Sequence, residues 1–251
     1  MYPILEFDPT REALIEPSRV IKPRDVPEHC VLCFFHEAID AICGEGRAKT
    51  IASFKWEDGP HRVYELEVEG RRLAVAHPGI GGPMAAGMLE EIIALGCRKF
   101  IACGGAGVLD RRLAVGHLLI PTSALRDEGT SFHYLPPARE VSPSPEAVAA
   151  IERVLNAEQV EYLLCKTWTT DAPYRETREL IRRRREEGCL TVEMEAASFF
   201  AVAQFREIMF GQILYGGDDV SGTDWDHRSW TSHATIRERL FWLAAQACLS
   251  L

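Results

Sequence analysis

Short apolar runs of strand length alternate with longer helix-like runs along most of this chain, and that alternation narrows the fold more than any single motif. "CVLCFF" (Cys30 to Phe35) reads as a strand and "HEAIDAIC" as the helix after it. "RRLAVAHP" is a strand ending in the turn "GIGG", and "PMAAGMLEEIIALGC" is a helix with Pro83 in its first turn and Gly96 as its stop. "KFIACGGAG" reads as a strand running into a glycine turn, and "HLLIPTSAL" as another strand. Residues 145–157 are helical, "EYLLCKTWTT" is a strand and "ETRELIRRRREE" a helix. A helix over Thr191 to Phe205, the strand "FGQILYGGDD" and a helix from about Thr231 to Ser250 complete the pattern. Strand-then-helix repetition predicts one α/β domain over residues 1–251, with helices on both faces of a mostly parallel or mixed sheet.

In such sheets ligands sit outside the carboxyl ends of the strands. The segments to inspect are therefore "FFHE", "HPGIGG", "CGGAG", "TTDAPYRET" and "GGDDVSGTDWD". The two glycine turns let backbone N–H groups approach a ligand, yet neither completes a dinucleotide fingerprint and no Walker lysine follows. Asp218 and Asp219 end an apolar strand, where adjacent side chains point oppositely, so only one can face a given pocket. Glu193 and Glu195 flank Met194 at the front of a very apolar stretch, and carboxylates are seldom buried without a partner. They start a solvated helix or they face a site.

Composition removes other classes. A formal charge of -9 argues against general affinity for nucleic acid or anionic membranes. No apolar run reaches the roughly 20 residues that span a bilayer, and "MYPILEFDPTREAL" does not read as a signal peptide, so the cytoplasm is expected. Cys30 and Cys33 form a C-x-x-C on a predicted strand, where odd spacing sends the thiols to opposite faces; reduced, buried thiols and no metal site are expected for all eight cysteines. "RRRR" at Arg182 to Arg185 reads as a solvated helix face or subunit contact.

"HPGIGGPMAAGMLEEIIALGCRKFIACGGAGVL", "VGHLLIPTSALRDEGTSFHYLPP" and "VEMEAASFFAVA" resemble the nucleoside phosphorylase family, notably its uridine phosphorylase-like members, from about Cys30 to the final helix. The resemblance implies a three-layer α/β fold with a mixed, distorted central sheet, and cleavage of a nucleoside N-glycosidic bond. It implies that Glu195 hydrogen-bonds ribose hydroxyls and that Met194 packs against the sugar, while Glu193 supports the helix start and the base pocket. Gly105, Ala106 and Gly107 would line sugar and base, with Pro173 and Tyr174 against the base and Asp171 closing the pocket or making a turn. Asp219 matches the acid that protonates the leaving base in purine-acting members, so a purine nucleoside is expected. A homo-oligomer built from dimers, with hexamers among the family's assemblies, is implied, and no cofactor beyond inorganic phosphate as co-substrate.

The phosphate site departs from the family. Phe34 stands where its first loop needs glycine, Ala38 and Ala102 stand at its two arginine positions, and Gly105 replaces a hydroxyl side chain. No phosphate-binding residue is assigned, although Arg62 neighbours the position from which an adjacent subunit supplies arginine. Nucleosidases of the superfamily use a glutamate in this loop to activate water, and Glu37, beside His36, is the candidate base here. A nucleoside phosphorylase, a hydrolytic nucleosidase and a non-catalytic nucleoside-binding protein are the three readings.

Overall fold

The computed structural model describes residues 2–251. Ten strands form one mixed sheet: β1 (His29–Cys33), β2 (Lys49–Trp56), β3 (Gly59–Val68), β4 (Arg71–Ala76), β5 (Lys99–Val108), β6 (Leu118–Asp127), β7 (Glu140–Val141), β8 (Tyr162–Thr170), β9 (Cys189–Glu193) and β10 (Met209–Asp219). The helices are α1 (Pro17–Val20), α2 (His36–Cys43), α3 (Gly82–Leu95), α4 (Pro145–Ala157), α5 (Arg178–Glu186), α6 (Ala196–Arg206) and α7 (Ala234–Leu249). One core packs α2, α4 and α7 on one face of the sheet, and the other packs α3 and α6 on the opposite face. This is the expected three-layer arrangement. Among the described residues no helix is long and apolar enough to cross a membrane.

The distortion of the sheet makes the site. Strand β5 pairs in parallel with β10 along nearly its whole length, from Lys99 opposite Met209 to Val108 opposite Asp219. On its other edge β5 pairs with β1 only as far as Cys103, and with β9 only from Gly107. Since β10 also pairs with β6, β6 with β8 and β8 with β9, five strands close into a ring hinged on β5. Between the end of β1 and the start of β9, the edge of β5 at Gly104 to Ala106 is left without a strand neighbour. A gap between diverging strands is the kind of place where open α/β sheets bind ligands.

Three local expectations change. The glycines of "CGGAG" are not a turn but part of β5, because their backbone is held in register by β10. The segment Thr191–Glu193 is strand rather than helix, and α6 begins only at Ala196. Of the arginine run, Arg184 is buried over Trp168 and paired with Asp127 and Glu187, so that helix face is only partly solvated. The eight cysteines are all buried and unpaired. The antiparallel hairpin of β2 and β3, turned at "EDG", extends the sheet beyond β4 and lies outside the strand-then-helix pattern.

Candidate active site

A cavity of about 700 Å³ opens at the exposed stretch of β5. Gly104, Gly105, Ala106 and Gly107 form one wall, which presents backbone and no side chain larger than a methyl. A Cβ on Gly104 would stand 2.9 Å from the Phe34 ring, so that glycine is needed to admit the ring.

The carboxylates of "VEME" both line the cavity and are both buried, but they do different work. Glu193 ends β9 and turns back on the start of α6, accepting from the N–H groups of Glu195 at 2.7 Å and Ala196 at 2.6 Å. Thr169 donates its hydroxyl to the same carboxylate at 2.6 Å and accepts the Ala197 N–H at 3.0 Å. Glu193 is thus a helix cap, supplying acceptors to N–H groups that have no partner within the helix. Burial nonetheless raises its pKa, against the lowering effect of those donors.

Glu195 accepts one N–H, from Gly81 at 2.6 Å. Gly81 has φ of 82°, a conformation that glycine adopts without strain, and this turn aims its N–H at the carboxylate. Burial, and then the charge of Glu193, push Glu195 up to about 8, so its carboxyl lacks the donors that would make ionisation easy. Met194 lies beside it on the cavity wall. The ribose set expected from the sequence is thereby brought together, with Gly105, Ala106 and Gly107 alongside.

The strand-end aspartates are divided differently from expectation. Asp218, not Asp219, lines the cavity. Asp219 points away and is fully occupied: Arg228 donates to Oδ2 at 2.6 Å, the Ser221 N–H donates to Oδ1 at 2.8 Å, and its backbone bridges Asp226. Alternation along β10 permits only one of the two to face the ligand space, and the ion pair with Arg228 decides which. Asp218 Oδ2 accepts the indole N–H of Trp225 at 2.6 Å. Glu176, which the sequence did not single out, lines the same cavity; burial, and then the negative charge of Asp218, raise it to about 7. A carboxyl beside another negative charge holds its proton more tightly.

Glu37 does not line the cavity. It stands in the first turn of α2 and forms an ion pair with Arg237 of α7. Burial opposes its ionisation, but the hydrogen bond and charge of Arg237 outweigh that and hold the carboxyl below its ordinary value. Arg237 does reach the cavity, boxed by Phe35, Tyr215 and Trp230. No short motif marks it, because α7 must fold back across the sheet to deliver it. Gln212 lies at the cavity too, one strand over from Ala102, and its buried Oε1 has no partner. Such an acceptor is costly to leave unmade and suits a ligand or water donor.

Phe34, just after β1, fills the space beside Gly104. Behind it His77 stands edge-on at 6.0 Å between ring centroids, with His36 stacked on His77 at 3.9 Å. Burial, and then His36, push His77 down to about 4, so it is neutral at physiological pH. Pro173 and Tyr174 stand at the cavity rim, with the Tyr174 ring almost wholly in solvent. Asp171 instead ties down a turn through the Gly129 N–H at 2.8 Å. His133 lies at a separate surface pocket of about 440 Å³ bordered by the N-terminal segment. Among the described residues no group of three or more His, Cys, Asp or Glu side chains is placed to hold a metal ion.

Comparisons with known proteins bear on the family and the fold. A guanosine phosphorylase from Halorubrum lacusprofundi is 29% identical over 153 residues, covering 61% of this chain; the chain spans only 64% of that relative's length. A uridine phosphorylase from Thermococcus kodakarensis is 27% identical over 205 residues, 76% of this chain and 73% of its own. Among solved structures, a uridine phosphorylase from Vibrio fischeri ES114 superposes with a TM-score of 0.76 at 20% identity, covering 94% of this chain and 98% of that one. An AMP nucleosidase from Bacteroides thetaiotaomicron VPI-5482 gives 0.70 at 22% identity, covering 89% and 87%. At those identities the two structures speak for the fold alone. The profile of the phosphorylase superfamily matches residues 28–245, nearly the whole chain, and the chain belongs to that family.

Proposed function

We propose that this protein cleaves the N-glycosidic bond of a nucleoside, with the sugar on Glu195 and Met194 and the base against the backbone wall of Gly105 to Gly107. The observation that carries the reading is one cavity joining a buried, singly hydrogen-bonded carboxyl, Glu195, to a second carboxyl pair, Asp218 and Glu176. As the bond from sugar carbon to base nitrogen breaks, its electron pair goes to the base and the sugar becomes oxocarbenium-like. Hydrogen bonds from ribose hydroxyls to Glu195 can strengthen as that charge develops. A proton delivered to the base from the carboxyl pair makes it a far better leaving group, and Asp218 takes the donor role expected of Asp219. Such an acid supports a purine base.

Relatives named as phosphorylases and as a nucleosidase differ in the attacking group, so the nucleophile is argued from this chain. Phe34 stands where the resemblance expects a glycine of the phosphate loop, and His77 behind it is neutral. Arg237 is already paired with Glu37, which leaves Arg178 as the other cationic side chain on the cavity. A dianion needs bidentate arginine or a dense set of N–H donors. These features favour water over phosphate, without Glu37 as its base. Phosphate is the alternative co-substrate, and a homo-oligomer is part of the proposal on family grounds.

The test is a panel of purine and pyrimidine nucleosides incubated with purified protein, with and without phosphate. Free ribose released equally in both conditions is the expected product. Ribose 1-phosphate formed only with phosphate would replace water by phosphate in the scheme, and no turnover of any nucleoside would defeat the catalytic reading.

A further inference from the structure

The chain between β10 and α7, residues 220–233, contains only a single 3-10 turn (Trp230–Ser232), yet it is strapped across the cavity. Arg228 reaches Asp219 at 2.6 Å and the Leu113 carbonyl at 2.7 Å. Arg178 donates to the Thr223 carbonyl at 2.6 Å, and Tyr215 donates its hydroxyl to the Trp230 carbonyl at 2.9 Å. In the middle of this strap stands Trp225, 64% exposed. A large ring so exposed is not held by packing. Its fixed contacts are an edge-on meeting with His227, 5.2 Å between ring centroids, and its N–H on Asp218 Oδ2.

An indole N–H can donate but never accept. Oδ2 of Asp218 is thus held as an acceptor, and since the carbonyl oxygen of a carboxylic acid accepts better than its hydroxyl oxygen, a proton on Asp218 is favoured on Oδ1. The carboxyl itself lies against the base wall: a Cβ on Gly107 would stand 3.6 and 3.8 Å from its two oxygens. We propose that Trp225 is a positioning residue that confines the proton of Asp218 to the oxygen free to face the leaving base. This rests on the reading of Asp218 as proton donor. In the step itself the proton passes from Oδ1 to a base nitrogen as the glycosidic bond breaks and its electron pair moves to the base. Asp218 is left anionic, and a hydrogen bond to a charged acceptor is stronger than one to a neutral acid. The indole thus binds the late stage of the reaction more tightly than the start, which is what accelerates a step. The other ionisable groups beside Asp218 are Glu176 and Tyr215, with Arg178 and Asp224 on the same cavity.

Trp225→Phe keeps the ring and deletes the donor. Measured in a Glu176→Gln background, so that the neighbouring carboxyl does not titrate, kcat for a nucleoside should fall roughly ten- to hundredfold. KM should change less, because the indole acts on the bond-breaking step rather than on binding. A riboside whose leaving group is a nitrophenolate, which departs without a proton, should keep its rate. Trp225→His, which restores a ring N–H, should recover part of the loss. The proposal is overturned if Trp225→Phe slows both substrates equally or leaves kcat for the nucleoside unchanged. Asp218→Asn with undiminished nucleoside turnover would instead remove the proton-donor reading itself, independently of Trp225.

Discussion

Glu195 shows how a single side chain ties affinity to instability. Its carboxyl is buried and accepts one backbone N–H, so the folded protein holds its proton up to about pH 8. In an unfolded chain a glutamate releases that proton at about 4.3. Between those values the folded state binds a proton that the unfolded state has lost, so stability falls as pH rises through the window. Below the unfolded value the effect vanishes. Glu195→Gln removes the titration while keeping the shape, and should raise the unfolding midpoint relative to the parent at pH 8 but not at pH 4. The gain is several kcal/mol at most, since each tenfold change in proton affinity is worth about 1.4 kcal/mol. Turnover should be lost in the same variant. Equal midpoint differences at both pH values would mean that the carboxyl is not under strain in the empty site.

The entry to α6 depends on a side chain from the preceding strand and another from a neighbouring strand. Thr169 on β8 holds Glu193 in place, and Glu193 holds the first turn of the helix. Thr169→Val preserves the shape and deletes the hydroxyl, leaving a buried carboxylate short of a donor. It should cost about 1–3 kcal/mol of stability by denaturant unfolding. Because the same carboxylate borders the cavity, sugar affinity should weaken too. A variant as stable as the parent would show that the backbone N–H groups suffice. The sequence discloses this element only in outline: "VEME" falls on the cavity wall, but periodicity runs the helix back to Thr191, since an apolar run looks alike as strand and helix. The glycines of β5 read as a turn for a related reason. Glycine signals freedom, and here the strand partner on β10 removes it. Asp218 against Asp219 is undecidable from spacing, as strand parity says that they differ but not which one faces inward. Arg237, Gln212 and Trp225 carry no motif at all, and reach the cavity only because α7, β10 and the strap after β10 converge there.

At the scale of the molecule, the five-strand ring and the outer strands β1 to β4 meet along β5, and the cavity lies where their pairings part. A ligand that binds only the folded form raises the unfolding temperature in proportion to the logarithm of its concentration over Kd. A cleavable nucleoside or its free base should therefore raise Tm, whereas inorganic phosphate alone, with few cationic side chains on the cavity to hold it, should not. A phosphate-dependent rise seen without nucleoside would show an anion site elsewhere on the cavity.

The backbone wall has one more consequence. Gly104 to Gly107 meet the ligand space with no side chain larger than the Ala106 methyl, and main-chain pairing holds Gly104 to Ala106 on β10 and Gly107 on β9. Divergence can crowd this surface but has little means of re-lettering it. The freedom to acquire a new substrate lies instead in two stretches outside the ring, the approach to α5 that bears Glu176 and Arg178, and the strap that bears Trp225. These are distant in sequence and touch through the Arg178 contact with Thr223, so a change of diet in this lineage would be expected to leave correlated marks in both while β5 stays as it is.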